Sequence, residues 1–158
     1  MPNKIRLEVF LDEYERASDL PKDIQTLLAK ARNNLGNAYA PYSNFKVSAA
    51  VLLEDGKIIL GTNQENNAFP SGLCAERVAL FAASAGYPKM SIKKVGIVAS
   101  TADELLRPCG GCLQVIAEYQ SRQKSPIEII MESSNGTIQV ASSVHMLLPF
   151  TFSFKNNY

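Results

Sequence analysis

The chain has three cysteines, and they fall in two short motifs: Cys-Ala-Glu-Arg at Cys74–Arg77 and Pro-Cys-Gly-Gly-Cys at Pro108–Cys112. No other feature restricts the fold as strongly, because sulfurs that share one task must bring two distant segments to a single point. Three sulfurs cannot all pair as disulfides. Three thiolates can hold one Zn²⁺ and leave its fourth position open, which is what separates a catalytic zinc from a structural one. Glu76, two residues after the first cysteine, is then placed to handle protons beside the metal without ligating it.

A chain of 158 residues with 46% apolar residues is sized for one domain that buries roughly two-thirds of its unfolded surface. Lys and Arg number 16 against 15 Asp and Glu, so there is no basic excess of the kind that marks a nucleic-acid or membrane surface. The N-terminal residues lack a signal-peptide core, and the stretch Val78–Tyr87 is too short to cross a bilayer. A cytoplasmic location is expected. In that reducing compartment an odd cysteine count favours metal or catalytic thiols over disulfides.

Periodicity supplies the scaffold. Residues 1–20 form an N-terminal extension in which Ile5, Leu7 and Val9 alternate like a strand, and residues 21–158 form a single catalytic domain. Ile24, Leu27, Leu28, Ala31 and Leu35 have helical spacing and predict a helix over Pro21–Ala38. Phe45–Leu53 and Lys57–Gly61 read as a hairpin about Glu54-Asp-Gly, and Asn63–Gly72 as a loop. A helix with a small-residue face starts near Cys74, followed by a buried strand at Lys94–Ser100 and a loop at Thr101–Arg107. Cys109–Arg122 is a third helix, Ile127–Met131 and Thr137–Val140 are strands, and Ser142–Leu148 is a short helix before an aromatic tail. The pattern predicts an α/β fold: a three-layer α/β/α sandwich on a central mixed five-stranded sheet.

Cys109 and Cys112, three residues apart at a helix start, can point their sulfurs the same way, and two converging helix N-termini would favour thiolates. Cys-x-x-Cys alone also fits a redox pair or half of a structural zinc site. A structural site needs a fourth ligand, for which the single His145 is the spare candidate, and a redox pair leaves Cys74 and Glu76 without a task. Zn²⁺ with three thiolates carries net negative charge, which weakens it as a Lewis acid. Arg77 can offset that charge by donating N–H groups to the sulfurs.

Five segments together resemble the small three-cysteine cytidine deaminases, a zinc-dependent family of homotetramers. They are Ala-Tyr-Ala-Pro-Tyr-Ser-Asn-Phe-Lys-Val (Ala38–Val47), Asn63–Asn66, Cys74–Arg77, Pro108–Val115 and the Leu-Leu-Pro-x-x-Phe of Leu147–Phe152. The resemblance spans about residues 22–153. It implies hydrolysis of cytidine and 2′-deoxycytidine, with Cys74, Cys109 and Cys112 as zinc ligands. Glu76 would take a proton from the attacking water, protonate N3 of the pyrimidine and assist departure of ammonia. Asn63 and Glu65 would bind the ribose hydroxyls, Phe45 would wall the base pocket, and the Ala75 and Cys109 backbone would contact the base. Phe152 would complete a neighbouring subunit's pocket. The partners implied are a small nucleoside and further copies of the chain, with no nucleic acid and no membrane. The alternatives are the same chemistry on another aminopyrimidine, such as a nucleoside antibiotic, or a non-enzymatic structural-zinc interaction module.

Two positions depart from the family pattern. Leu113 stands where an arginine is common, leaving more of the charge compensation to Arg77, and Phe69 stands where many relatives have tyrosine. The extension has no counterpart in the shortest relatives; it either caps an interface or adds an edge strand.

Overall fold

A computed structural model describes residues 2–101 and 105–153. Residues 102–104 of the expected Thr101–Arg107 loop, and the end of the aromatic tail from residue 154, lie outside the described residues. Nine regular elements follow one another: β1 (Asp12–Tyr14), α1 (Lys22–Asn34), β2 (Val47–Leu53), β3 (Ile58–Thr62), α2 (Ala75–Gly86), β4 (Ile92–Ala99), α3 (Gly110–Gln123), β5 (Glu128–Glu132) and β6 (Ile138–Ala141). The strands form one mixed sheet in the order β1-β6-β5-β4-β2-β3, with β4 and β5 parallel and every other neighbour antiparallel. The sheet therefore has six strands, not five. The helix expected to reach Ala38 stops at Asn34 and tightens into a 3-10 turn over Leu35–Asn37. The expected C-terminal helix is a single 3-10 turn over Val144–Met146.

The additional strand comes from the extension, but from Asp12–Tyr14 and not from Ile5, Leu7 and Val9. The register gives the reason. Asp12 already faces Val140, one residue short of the end of β6 at Ala141, so residues further upstream run past the end of their only neighbour. Ile5, Leu7 and Val9 are accordingly exposed.

Alternation along the strands divides the core in two. Ala49, Val51 and Leu53 of β2, Val95 and Ile97 of β4, and Ile129 and Met131 of β5 face α2 and α3. Ala50, Val98, Ile130, Ile138 and Val140 face the other way, onto Leu27, Leu28 and Ala31 of α1. That is the three-layer arrangement expected from the sequence. On the α2 side the helix lies unusually close to the sheet: a Cβ placed on Gly61 of β3 would sit 2.4 Å from the backbone nitrogen of Ala79. The small residues Ala75, Ala79 and Ala83 are what permit this approach.

Candidate functional site

Two of the three cysteines occupy the same structural position. Cys74 is the residue from which α2 starts and Cys109 the residue from which α3 starts, both extended in backbone, and neither side chain caps its helix. Cys112 lies three residues into α3. The first and fourth positions of a helix start face one another across its first turn, so Cys-Gly-Gly-Cys turns both sulfurs toward one point. The β4–α3 and β3–α2 connections bring the third sulfur to that point. Cys74 Sγ lies 3.8 Å from Cys109 Sγ, Cys109 Sγ lies 3.4 Å from Cys112 Sγ, and all three lie within 4.8 Å of one another.

Those separations test the fit of a metal. Four ligands arranged tetrahedrally at the zinc–sulfur distance of about 2.3 Å place sulfurs roughly 3.8 Å apart. The cluster has that size, its donors are of the soft thiolate type that zinc accepts, and Cys109 is exposed, so one side is open to a further ligand. Among the described residues it is the one group of three such side chains close enough to hold an ion, and His145 is not in it.

The surrounding charges suit thiolates. Cys74 is pushed down to about 5, first by the hydrogen bond from Cys112 and then by Arg77, whose Nη2 lies 3.6 Å from its sulfur. Cys112, which supplies that hydrogen bond and is fully buried, is pushed up. Arg77 is itself held more firmly protonated, chiefly by Cys74. Its Nε is buried without a hydrogen-bond partner among the described residues, an orphaned donor next to a cluster of negative charge. Leu113 is buried in the core between the sheet and α2 and α3, so position 113 supplies no donor to the sulfurs.

Glu76 follows Cys74 by two residues in the first turn of α2 and is only 4% exposed. Burial raises its carboxyl above the usual carboxylate range, and the charge of Cys74 adds to the effect. A carboxyl raised in this way holds a proton more firmly than an exposed one, which suits general acid–base work.

A cavity of about 290 Å³ opens beside the sulfurs, lined by Tyr42, Asn63, Glu65, Phe69, Cys74 and Arg77 among others. Asn63 and Glu65 thus reach the same cavity as Cys74, but both are also bonded to their own chain. The Asn63 amide accepts from Val47 N (2.8 Å) and donates to Phe45 O (2.8 Å), tying down the start of β2. Glu65 accepts from Ser43 Oγ (2.5 Å), Tyr42 N (2.8 Å) and Ser43 N (3.3 Å), closing the turn that follows Ala40. These bonds, first that of Ser43 Oγ, hold its carboxyl below the ordinary value. The second amide hydrogen of Asn63 and one acceptor position of Glu65 remain for a ligand.

The other anticipated residues are placed differently. Phe45 is half-buried, packs against the core and does not line this cavity, and Ala75 is fully buried at the start of α2. Phe152 is 69% exposed and lines another hollow, beside Ala117, Gln120 and His145. Phe69 stacks edge-on against Tyr42, ring centroids 5.9 Å apart. Two residues without a role of their own in the motifs take part. Ser43 orients Glu65, and the side chain of Gln114 bonds both backbone groups of Phe152, donating to its oxygen (2.8 Å) and accepting from its nitrogen (3.1 Å). Ser43 belongs to the Pro-Tyr-Ser-Asn turn and Gln114 to the Cys-Leu-Gln-Val segment, so both stood inside motifs already singled out.

The chain is similar to known proteins in sequence and in fold. The family model described as the cytidine and deoxycytidylate deaminase zinc-binding region matches residues 21–125. A cytidine deaminase of Sporosarcina psychrophila is 39% identical over 131 residues, 83% of this chain and 92% of its own. A cytidine deaminase of Halalkalibacterium halodurans is 38% identical over 132 residues, 83% of this chain and 95% of its own. Among solved structures, cytidine deaminase from Burkholderia pseudomallei superposes with a TM-score of 0.72 at 36% identity, covering 80% of this chain and 97% of that one. Cytidine deaminase from Mycobacterium tuberculosis gives a TM-score of 0.68 at 28% identity, covering 85% and 100%.

Proposed function

The chain belongs to the zinc-binding cytidine and deoxycytidylate deaminase family, and from that premise we propose that it hydrolyses cytidine and 2′-deoxycytidine to uridine and 2′-deoxyuridine with release of ammonia. The observation that carries the reading is the conjunction of three sulfurs at zinc-ligating separations with the buried Glu76, two residues after Cys74, whose carboxyl is raised by that burial.

The chemistry follows from those residues. Cys74, Cys109 and Cys112 hold the metal, and zinc there supplies the activation of water that attack at C4 of a pyrimidine requires near neutral pH. Glu76 accepts the proton released by the attacking water and passes it to N3 of the ring. Glu76 then takes the remaining proton of the hydroxyl added at C4 and delivers it to the 4-amino group, so that the C4–N bond breaks with ammonia as the leaving group and the C4 carbonyl forms; one carboxyl group gives and takes by turns. Its raised pKa matches that alternation. Arg77 draws charge from Cys74 through its 3.6 Å contact, which leaves the three-thiolate site a better Lewis acid.

Asn63 and Glu65 bind the sugar hydroxyls through the donor and acceptor that their bonds to the chain leave over. Because Phe45 O and the Tyr42–Ser43 turn already fix both groups, the nucleoside meets a site whose ordering cost has been met on folding. Of the groups expected to meet the base, the backbone of exposed Cys109 is the accessible one, whereas Ala75 is buried and Phe45 packs against the core outside the cavity. Phe152 is exposed and does not line the cavity of its own chain, which suits completion of a neighbour's pocket in a homotetramer; sedimentation of the purified protein as a tetramer in analytical ultracentrifugation checks the assembly. Among the described residues no helix is long and apolar enough to cross a membrane, and a cytoplasmic location fits action on free nucleosides.

The test is spectroscopic. Purified zinc-loaded protein is mixed separately with cytidine, 2′-deoxycytidine, cytidine monophosphate and adenosine, and the ultraviolet change on loss of the 4-amino group is followed. Turnover of the first two is expected. No change with either nucleoside overturns the reading, and turnover of the monophosphate alone redirects it to nucleotides.

A further inference from the structure

We propose that Gln114 is a positioning residue for substrate binding: its side chain sets the direction in which Phe152 presents its ring to the nucleoside pocket of a neighbouring copy. The inference rests on the function proposed above and adds to it the means by which the ring is aimed.

The geometry is that of a strand pairing made by one side chain. The carboxamide donates to Phe152 O and accepts from Phe152 N, at 2.8 and 3.1 Å. A single bond would leave the backbone free to swivel about it. Two bonds from one planar group fix the peptide units on both sides of residue 152, and with them the Cα–Cβ direction of the ring. The ring is 69% exposed on its own chain and does not line the cavity that holds Asn63, Glu65 and Cys74. The bonds therefore hold in place a side chain that is not sheltered in its own core.

The other end of the segment is anchored separately. Val144 is fully buried and its oxygen accepts from Leu148 N at 2.8 Å. Pro149, Phe150 and Thr151 bridge from that anchor to the Gln114 bonds, and Phe150 is 76% exposed. Of these two anchors among the described residues, Gln114 is the one next to the aromatic ring.

Its place on α3 extends the consequence. Cys112 and Leu113 are buried, as are Ile116 and Ala117 one turn on, while Gln114 is only partly buried and projects from another side of the helix. One rigid helix thus carries two of the three sulfurs on one side and the support for Phe152 on the other. A rotation of α3 that displaces the sulfurs also re-aims the ring, so the metal site of one chain and the sugar-and-base pocket of the next share a mechanical element.

The test compares wild type, Gln114→Leu, Gln114→Glu and Phe152→Ala as full-length, zinc-loaded proteins. Gln114→Leu matches the shape of the side chain and removes both bonds, while Gln114→Glu keeps the acceptor for Phe152 N and loses the donor for Phe152 O. Loss of one preorganised aromatic contact is expected to raise KM for cytidine about tenfold in Gln114→Leu. Gln114→Glu should fall between it and wild type, with kcat and bound zinc near wild type in both. Phe152→Ala should raise KM comparably, and Gln114→Leu/Phe152→Ala no further, since both changes remove one contact. Mixing Gln114→Leu chains with excess Glu76→Gln chains should restore the low KM, because the intact ring is then supplied by the neighbour. An unmoved KM in Gln114→Leu, or multiplicative losses in the double variant, overturns the proposal while leaving the deaminase reading in place. Wild-type protein that converts no nucleoside removes both.

Discussion

Gly61 offers the sharpest quantitative test of how the fold builds the site. A Cβ at that position would lie 2.4 Å from Ala79 N, 2.7 Å from Ala75 O and 2.9 Å from Ala79 Cα. Non-bonded heavy atoms settle at about 3.5 Å, so Gly61→Ala requires α2 to retreat from β3 by roughly 1 Å. All three contacts are backbone, and no rotamer change relieves them. Overpacking of this kind costs about 1–3 kcal/mol, and a clash with backbone alone belongs at the upper end. The retreating helix begins at Cys74 and carries Glu76 in its first turn. A displacement of about 1 Å at reacting groups lowers turnover roughly a hundredfold. Urea titration should show a loss of about 3 kcal/mol in the zinc-loaded protein, and uridine formation should fall by about two orders of magnitude. Gly86→Ala is the control, because a Cβ there meets nothing within 4 Å; it should leave stability within about 0.5 kcal/mol and turnover unchanged. A Gly61→Ala protein that matches this control in both measurements would refute the claim that the β3–α2 approach sets the position of the site.

Three further outcomes are expected. Glu76→Gln keeps stoichiometric zinc by elemental analysis and loses at least about 10²–10⁴-fold in turnover; near-normal ammonia release would dismiss its proton role. Cys109→Ala, which leaves two sulfurs, should lose stoichiometric zinc, and full metal content would show the ligand set to be wrong. Ser43→Ala removes the largest influence holding the Glu65 carboxyl below its ordinary value of 4.5. Because that value is depressed in the folded protein, the contribution of the ionised group is present above 4.5 and is lost as pH falls through the folded value. The variant should therefore lose nucleoside affinity at a higher pH than wild type does. Carboxyl NMR titration of Glu65 and KM against pH between about 3 and 6 both check this, and an unchanged acid limb counts against the Ser43 bond.

The parts legible in the sequence are those that depend on spacing along one element. Ile24, Leu27, Leu28 and Ala31 mark α1 because helical periodicity is local, and Cys109 with Cys112 announces a shared target because both stand in one turn. The extension shows the converse: it does add an edge strand, at Asp12–Tyr14. Alternation at Ile5, Leu7 and Val9 shows that the segment can be a strand, but only the end of β6 at Ala141 decides where pairing stops. Tertiary roles were hidden for the same reason. Nothing near Gly61 in the sequence says that Ala79 lies on top of it, and nothing near Gln114 says that its amide meets Phe152. The motif around Asn63 and Glu65 suggests that they are ligands for a sugar. Their bonds to Phe45, Val47, Tyr42 and Ser43 show a task within the chain as well, which a motif cannot display because it names residues without their neighbours.

The separation of the ligands along the chain has a consequence for the lifetime of the protein. Cys74 and Cys109 are 35 residues apart, so an ion shared between them closes a covalent-scale loop across two helices. That loop is closed only in the folded chain, since the unfolded chain releases the ion, so the free energy of ion binding adds to the stability of the fold by mass action. Metal supply then governs persistence as well as rate. When zinc is scarce, newly made chains open more often and are degraded before they accumulate, so a depleted cell holds fewer molecules and not merely idle ones.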